Sequence, residues 1–421
     1  MLESQLKSKL ITEISWSIAA KVVAFFCFYG TNIFLARYLG VEDFGFWSFF
    51  FSFLSIALIL SQLGIGSAAR YFVAKYNDSE FIHSVWASSF KLRIKTTTAF
   101  CIVYLLVAYP LALLFDKPSL LQLIILSTPL IFFSGIVEYL KNVSAGLHTL
   151  KTNFFITSME YGLKLILVIT FLLIAKSMIS IVSAYTLSLI IVAMVGYFLT
   201  KKNIVYIGNK TKRDFTVDLV NYAKMVFLIH ISVTVSFEID TLMIGILNNN
   251  AEVGIYAGAK QLVIYLPQIS VAISMGTMPL FAKLNDENKH QLRRLFRTLM
   301  YLNALLFGLL GIGLFVFADW LVPFVLGEEY QSASTVLKLL IPFLITISFV
   351  PFIDVFLDYQ GQVKRRTVNY MMALLLNVVL NILLIPKYGA IGAAYATSLS
   401  FMPCLVLNSL LAKKLWLTHF P

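Results

Sequence analysis

Lys21, Lys164, Lys224, Lys260 and Lys338 are cations set within long apolar runs, and Glu160, Glu238, Asp240, Asp354 and Asp358 are carboxylates in the same setting. A charge in hydrocarbon is costly, and it marks either a paired partner or a wet path for an ionic ligand. The chemistry within reach of these residues is therefore electrostatic: holding an anion, passing a proton, or opening and closing an ion pair.

Lys21 shares a helical face with Phe25, Phe28 and Asn32. Helical rise puts it about 12 Å into a first span, where its ammonium either makes a charge-assisted contact to an anion or snorkels to the interface. Asp240 and Lys260 fall at one depth, roughly 10 Å below the outer surface. They are expected to meet, as a structural salt bridge or as a pair that opens when cargo or a proton competes. Glu238 points to another side of that helix, and His230, Thr234 and Thr241 make it polar on several sides, which argues against a lipid-facing position. His230 is a coupling candidate, histidine being the residue type suited to a charge switch, with a plain hydrogen-bonded histidine the simpler reading.

Glu160 and Lys164 have the favourable i, i+4 order of a structural ion pair. Asp354 and Asp358 share a face close to Lys364, Arg365 and Arg366, as a cytoplasmic gate or an interface network. Arg70, with Lys91, Arg93 and Lys95, is expected around the inner entrance between spans two and three, where positive-inside bias already accounts for basic residues. The sequence contains no phosphate-binding loop, HExxH, GxSxG or GxGxxG pattern, so neither ATP hydrolysis nor covalent catalysis is indicated, and the reading is not an enzyme. Cys27, Cys101 and Cys404 stand alone in apolar runs without metal-ligand spacing; no metal and no cofactor is expected.

The elements that must position these groups follow from composition. Of 421 residues 59% are hydrophobic and 13% charged, about half the usual charged share of a soluble protein. About 20 apolar residues cross a bilayer as a helix. Twelve stretches qualify, near 13–38, 44–66, 94–115, 119–140, 154–175, 178–199, 219–247, 254–282, 298–318, 332–357, 368–385 and 390–412. The fold class is thus all-α, a polytopic membrane protein. Only Arg37, Lys117, Lys176 and Lys387 of the 33 Lys and Arg fall in the outer turns, which puts both termini in the cytoplasm. The net charge of +12 is spread over the inner loops and so reports topology and anionic lipid, not nucleic acid.

The chain also repeats. "YLGVEDFGFWSFF" matches "ILNNNAEVGIYAG", pairing Gly45 and Trp47 with Gly254 and Tyr256 at an offset of 209, and further matches recur at 208 and 215. Two halves of six spans follow, residues 1–199 and 219–421, joined by a polar cytoplasmic linker at 200–218. Six is even, so the halves share one orientation and their axis runs along the membrane normal. Gly45 and Gly254 are expected to admit close backbone approach in the turns after spans one and seven, and Pro267 to kink span eight.

"ARYLGVEDFGFWSF", "IDTLMIGILNNNAEVGIYAGAKQL" and "LLIPKYGAIGAAYATSLS" resemble the Wzx-type polysaccharide repeat-unit flippases of the multidrug/oligosaccharidyl-lipid/polysaccharide (MOP) exporter superfamily, over nearly the whole chain. The resemblance implies a MATE-like V of two six-helix lobes around a central cavity. It also implies transfer of an undecaprenyl-pyrophosphate-linked oligosaccharide, O-antigen or another repeat unit, from the cytoplasmic to the periplasmic leaflet of a bacterial inner membrane. Lys21, Asn32, Arg70, Asp240 and Lys260 are then the expected cargo contacts, and Glu238, Asp240, His230, Asp354 and Asp358 the gating or coupling residues, with a proton or sodium gradient and polysaccharide polymerase machinery as expected partners. Two alternatives are an ion-coupled multidrug exporter, against which Lys21 and Lys260 argue, and a membrane glycosyltransferase or polymerase, which would carry larger loops.

Overall fold

Gly40 (φ 83°), Leu63 (φ 48°), Gly64 (φ 71°), His148 (φ 54°), Gly327 (φ 110°), Gly361 (φ 68°) and Gly389 (φ 54°) are where the backbone leaves ordinary right-handed or extended space. All seven fall between or within helices, and they set where the chain turns. The computed structural model describes residues 2–76, 81–115, 117–205, 213–271, 273–274, 289–359 and 361–419, and no strand occurs among them.

The helices are α1 (Leu2–Leu39), α2 (Val41–Gln62), α3 (Ile65–Lys75), α4 (Ile82–Leu106), α5 (Ala108–Leu114), α6 (Pro118–Gly146), α7 (Leu150–Ile174), α8 (Met178–Val205), α9 (Thr216–Leu247), α10 (Asn250–Val263), α11 (Lys289–Leu326), α12 (Ala333–Tyr359) and α13 (Val363–His419). Among the described residues nine helices are long and apolar enough to cross a membrane, or ten if the pair α4 and α5, bent by 47°, counts as one. α13 is interrupted at Gly389. Its apolar stretch Lys364–Leu415 has 52 residues, far beyond the roughly 20 that one crossing needs. The part of the eighth expected stretch beyond Ser274, 275–282, lies outside the described residues.

Several boundaries differ from the sequence reading. The second span ends at Gln62, and α3 begins after the left-handed Leu63–Gly64 pair. The space that a side chain at Gly64 would need is taken by the Ala223 carbonyl, 2.5 Å from an ideal Cβ, so only glycine fits there. The third expected span belongs to α4, which starts at Ile82 and not near 94, and this carries Lys91, Arg93 and Lys95 onto a helix. Arg93 is fully buried. Its expected place at an inner entrance is therefore corrected: its Nε donates to Gly135 O at 3.0 Å and its Nη1 to Ser61 O and Gln62 O at 3.2 and 3.0 Å. A cation on the last carbonyls of α2 meets the negative end of the helix dipole.

The chain forms two compact units, one of Met1–Leu35 with Phe50–Glu238 and one of Ala36–Phe49 with Ile239–Pro421. In the first, α6 packs on α8, α3 and α4, and α7 on α8. Leu140, Val143, Ile156, Val182 and Leu189 are buried there. In the second, α12 packs on α11, α13 and α10, around Phe352, Phe356 and Leu344. Large apolar side chains such as Leu114, Ile174 and Met225 are at least 75% exposed, as lipid-facing positions are when hydrocarbon is the solvent.

Candidate functional site

Asp240, in the C-terminal part of α9, is 2% exposed. A carboxylate so deeply placed needs donors for both oxygens. Asn377 and Asn381 donate their Nδ2 groups to Oδ1 at 2.9 and 2.7 Å. The Tyr256 and Thr397 hydroxyls donate to Oδ2 at 2.9 and 2.8 Å. All the donors are neutral. Lys260 is not among them: its Nζ lies 3.2 Å from Thr241 Oγ1 and 5.7 Å from the Tyr256 ring. The expected Asp240–Lys260 salt bridge is thus replaced by four neutral hydrogen bonds, because α10 and the two arms of α13 bring closer donors. Asn381 Oδ1 is buried without a partner, which leaves one acceptor unmatched beside the carboxylate.

The same unit holds the turn between α1 and α2. The Gly45–Gly254 crossing is tighter than any side chain allows: an ideal Cβ on Gly45 would stand 1.8 Å from Asn250 O, and one on Gly254 would stand 2.0 Å from Val41 O. Val41 and Asn250 are themselves repeat mates at the offset of 209, so the two contacts are one contact seen from either half. The close approach expected at both glycines is present.

Around that crossing, helix ends are capped by side chains from neighbouring elements. Arg37 Nε donates to Val325 O at 2.9 Å, and its Nη2 donates to Phe324 O, at the C-terminus of α11. Glu252 Oε2 accepts from Ala390 N at 2.6 Å, where α13 restarts after Gly389. The Tyr330 hydroxyl donates to Ala36 O at 3.1 Å. Burial raises that phenol above its ordinary range, with Glu329 adding to the effect, so it stays protonated and a donor. Arg37→Ala removes two of these caps, each worth about 1 kcal/mol. Hydrogen exchange should accelerate across 36–49 and at the end of α11 while α6 to α8 keep their protection.

The first unit holds a separate charged cluster. Glu160 accepts from Lys141 at 2.7 Å and from Lys164 at 2.8 Å. Lys141 is a partner that the i, i+4 pattern does not reveal, since it lies on α6. Glu138, also on α6, accepts from Asn142 Nδ2 with its Oε1, while its buried Oε2 has no partner. Glu238 accepts from Ser52 Oγ at 2.7 Å. Lys21 and Arg70 are exposed and His230 is half-buried. Asn32 donates to its own helix at Phe28 O, 2.9 Å away.

In the second unit, Arg366 bridges Asp354 at 2.6 Å and Asp358 at 3.2 Å, and the Tyr370 hydroxyl donates to Asp354. The ion cluster expected between Asp354, Asp358 and the basic segment is centred on Arg366. Arg366→Ala would leave the half-buried Asp354 with only the Tyr370 donor and the exposed Asp358 without its cation, at a cost below the roughly 3–5 kcal/mol of breaking a fully buried pair. A fall in thermal stability larger than that of Lys364→Ala, which is exposed, checks it.

A sequence model of the family described as polysaccharide biosynthesis protein matches residues 34–335. The chain belongs to that family. Among curated proteins it is similar to the probable low-salt glycan biosynthesis flippase Agl15 of Haloferax volcanii, with 29% identity over 195 residues; the match covers 45% of this chain and 41% of that protein. The chain therefore spans less than half the length of that relative. Among solved structures it shares the fold of the lipid II flippase MurJ in an inward closed conformation (TM-score 0.74, 16% identity, 95% of this chain and 87% of that one). It also shares the fold of an inward-facing MATE family transporter of the MOP superfamily (TM-score 0.74, 15% identity, 94% and 97%).

The MATE-like fold expected from the sequence is thus the fold of this polysaccharide biosynthesis protein, a multi-pass membrane protein. Tyr256, Asn377, Asn381 and Thr397 are the site residues that sequence reasoning missed. One signal was available: Asn377 and Asn381 recur at i, i+4 inside the apolar run "NVVLNILLI", where each amide must find a partner.

Proposed function

We propose that this polysaccharide biosynthesis protein is a flippase. Its cargo is an oligosaccharide linked to undecaprenyl pyrophosphate, an O-antigen or another polysaccharide repeat unit, moved from the cytoplasmic to the periplasmic leaflet by alternating access of the halves 1–199 and 219–421. In this reading it works in a bacterial inner membrane with both termini cytoplasmic, and hands its cargo to polymerase machinery. The observation that carries the reading is the family match over residues 34–335 together with the transporter fold. In this reading Lys21, Arg70 and Lys260 are cationic contacts to the diphosphate, and Asn32 is a polar contact to the cargo.

Asp240 is the coupling residue of this proposal. A buried carboxylate held by neutral donors, next to the unmatched Asn381 acceptor, has the donor–acceptor balance that a proton or a sodium ion completes. Glu238, His230, Asp354 and Asp358 take the subsidiary gating roles.

The test is reconstitution. Purified protein in vesicles loaded on one leaflet with fluorescent undecaprenyl-pyrophosphate-linked glycan should speed its appearance on the other, faster still under an imposed proton or sodium gradient. Transfer no faster than in empty vesicles rejects the flippase reading. A second reading, an ion-coupled multidrug exporter, is favoured by the equal fold match to the MATE transporter; drug efflux from the same vesicles without glycan transfer would establish it instead.

A further inference from the structure

Gln261 lies in α10 and is 8% exposed, yet neither its Oε1 nor its Nε2 has a hydrogen-bond partner. Among the described buried side chains it is the amide with both ends unmatched. Swapping the two atoms changes nothing, because each is bare. A buried amide without partners costs free energy that packing alone does not recover, so it persists where something else uses it.

A second feature stands next to it. α10 ends at Val263, and residues 264–267 form turns instead of helix. Leu266 N bonds to Val263 O, Gln268 N to Tyr265 O and Ile269 N to Leu266 O, all with three-residue spacing. Pro267 supplies no N–H, and the four-residue ladder resumes at Val271 N to Pro267 O. Irregular backbone at membrane depth is tolerated only where it is buried in protein or lines a wet path, and interrupted spans recur at transporter ligand sites.

The type of ligand follows from hydrogen-bond capacity. An amide offers two donors and an acceptor, whereas an ionised diphosphate only accepts. A diphosphate would engage Nε2 and leave Oε1 bare. A sugar hydroxyl or an acetamido group both gives and accepts, and it satisfies both ends. Lys260, the residue before Gln261, is the converse: a donor-only cation suited to diphosphate.

We propose that Gln261 is a specificity residue for the first sugar of the lipid-linked cargo, contacting its hydroxyl or acetamido groups, while the adjoining Lys260 serves the diphosphate. This rests on the flippase reading and adds the part of the cargo that is read.

Two probes separate the roles: undecaprenyl diphosphate bearing one N-acetylglucosamine, and sugar-free undecaprenyl diphosphate. Gln261→Leu in lipid nanodiscs should weaken binding of the sugar-bearing lipid about ten- to a hundred-fold, for one or two lost hydrogen bonds, and leave the sugar-free lipid unchanged. The same variant should melt at a higher temperature than the wild type, because it no longer buries an unmatched amide. A purely structural glutamine would give that stabilisation with no change in binding. Gln261→Met is the second variant, should the branched leucine crowd its neighbours. Equal loss on both lipids, or no loss on either, overturns the proposal alone. Wild-type protein that binds neither lipid overturns it together with the flippase reading.

Discussion

Asp240→Asn should yield a folded protein that no longer responds to an ion gradient. The amide keeps one oxygen for the Asn377 and Asn381 donors. Its NH2 faces the Tyr256 and Thr397 hydroxyls, which can turn to accept. The stability loss should stay near 1 kcal/mol. The charge that a proton or sodium ion would neutralise is gone, however, so gradient-driven acceleration, about 5–150-fold for a coupling of about 1–3 kcal/mol, should vanish while slow downhill transfer persists. Asp240→Ala is the harsher change: Thr397, Tyr256 and Asn381 keep Ala393 O, Thr397 Oγ1 and Asn377 Oδ1 as acceptors, but Asn377 loses its acceptor at about 1–3 kcal/mol and a cavity opens, so it should express poorly. Wild-type gradient dependence in Asp240→Asn vesicles would remove this carboxylate from the coupling mechanism.

The second large effect is steric. Gly45→Ala and Gly254→Ala each push a methyl group to within 1.8 and 2.0 Å of a backbone oxygen, and neither helix can retreat without breaking the crossing. The cost should reach about 3 kcal/mol or more, the upper end for overpacking. Loss of monodisperse protein in size-exclusion chromatography would show it. Gly162→Ala and Gly308→Ala are the controls, since nothing lies within 4 Å of an added Cβ at either. Both are helical, so alanine there should be neutral or stabilising by up to about 1 kcal/mol.

The contrast between these sites shows what a sequence can carry. The glycine crossing was legible because a repeat offset pairs Gly45 with Gly254, and glycine at a helix entry signals close approach. The span pattern was legible because hydrocarbon thickness fixes the length of an apolar run. The surroundings of Asp240 were not, since Asn377, Asn381 and Thr397 lie 137, 141 and 157 residues away along the chain. No periodicity encodes which donor arrives first, so the nearer cation, Lys260, was the natural but incorrect partner. Arg93 was misplaced for another reason. Basic residues near a presumed loop look like topology signals, while the burial of this one depends on α4 beginning at Ile82 and reaching the end of α2. Lys141 on Glu160 was missed in the same way, as a partner contributed by a different helix.

The Val41–Gly45 and Asn250–Gly254 segments fit each other as a key fits a lock cut from the same blank. A contact that maps onto itself when its two participants are exchanged is the signature of a twofold homodimer, and here both participants lie on one chain. The simplest ancestry is a six-span protein that paired with its own sibling through this groove before duplication fused the copies. The segment between α8 and α9 would then be the seam of that fusion.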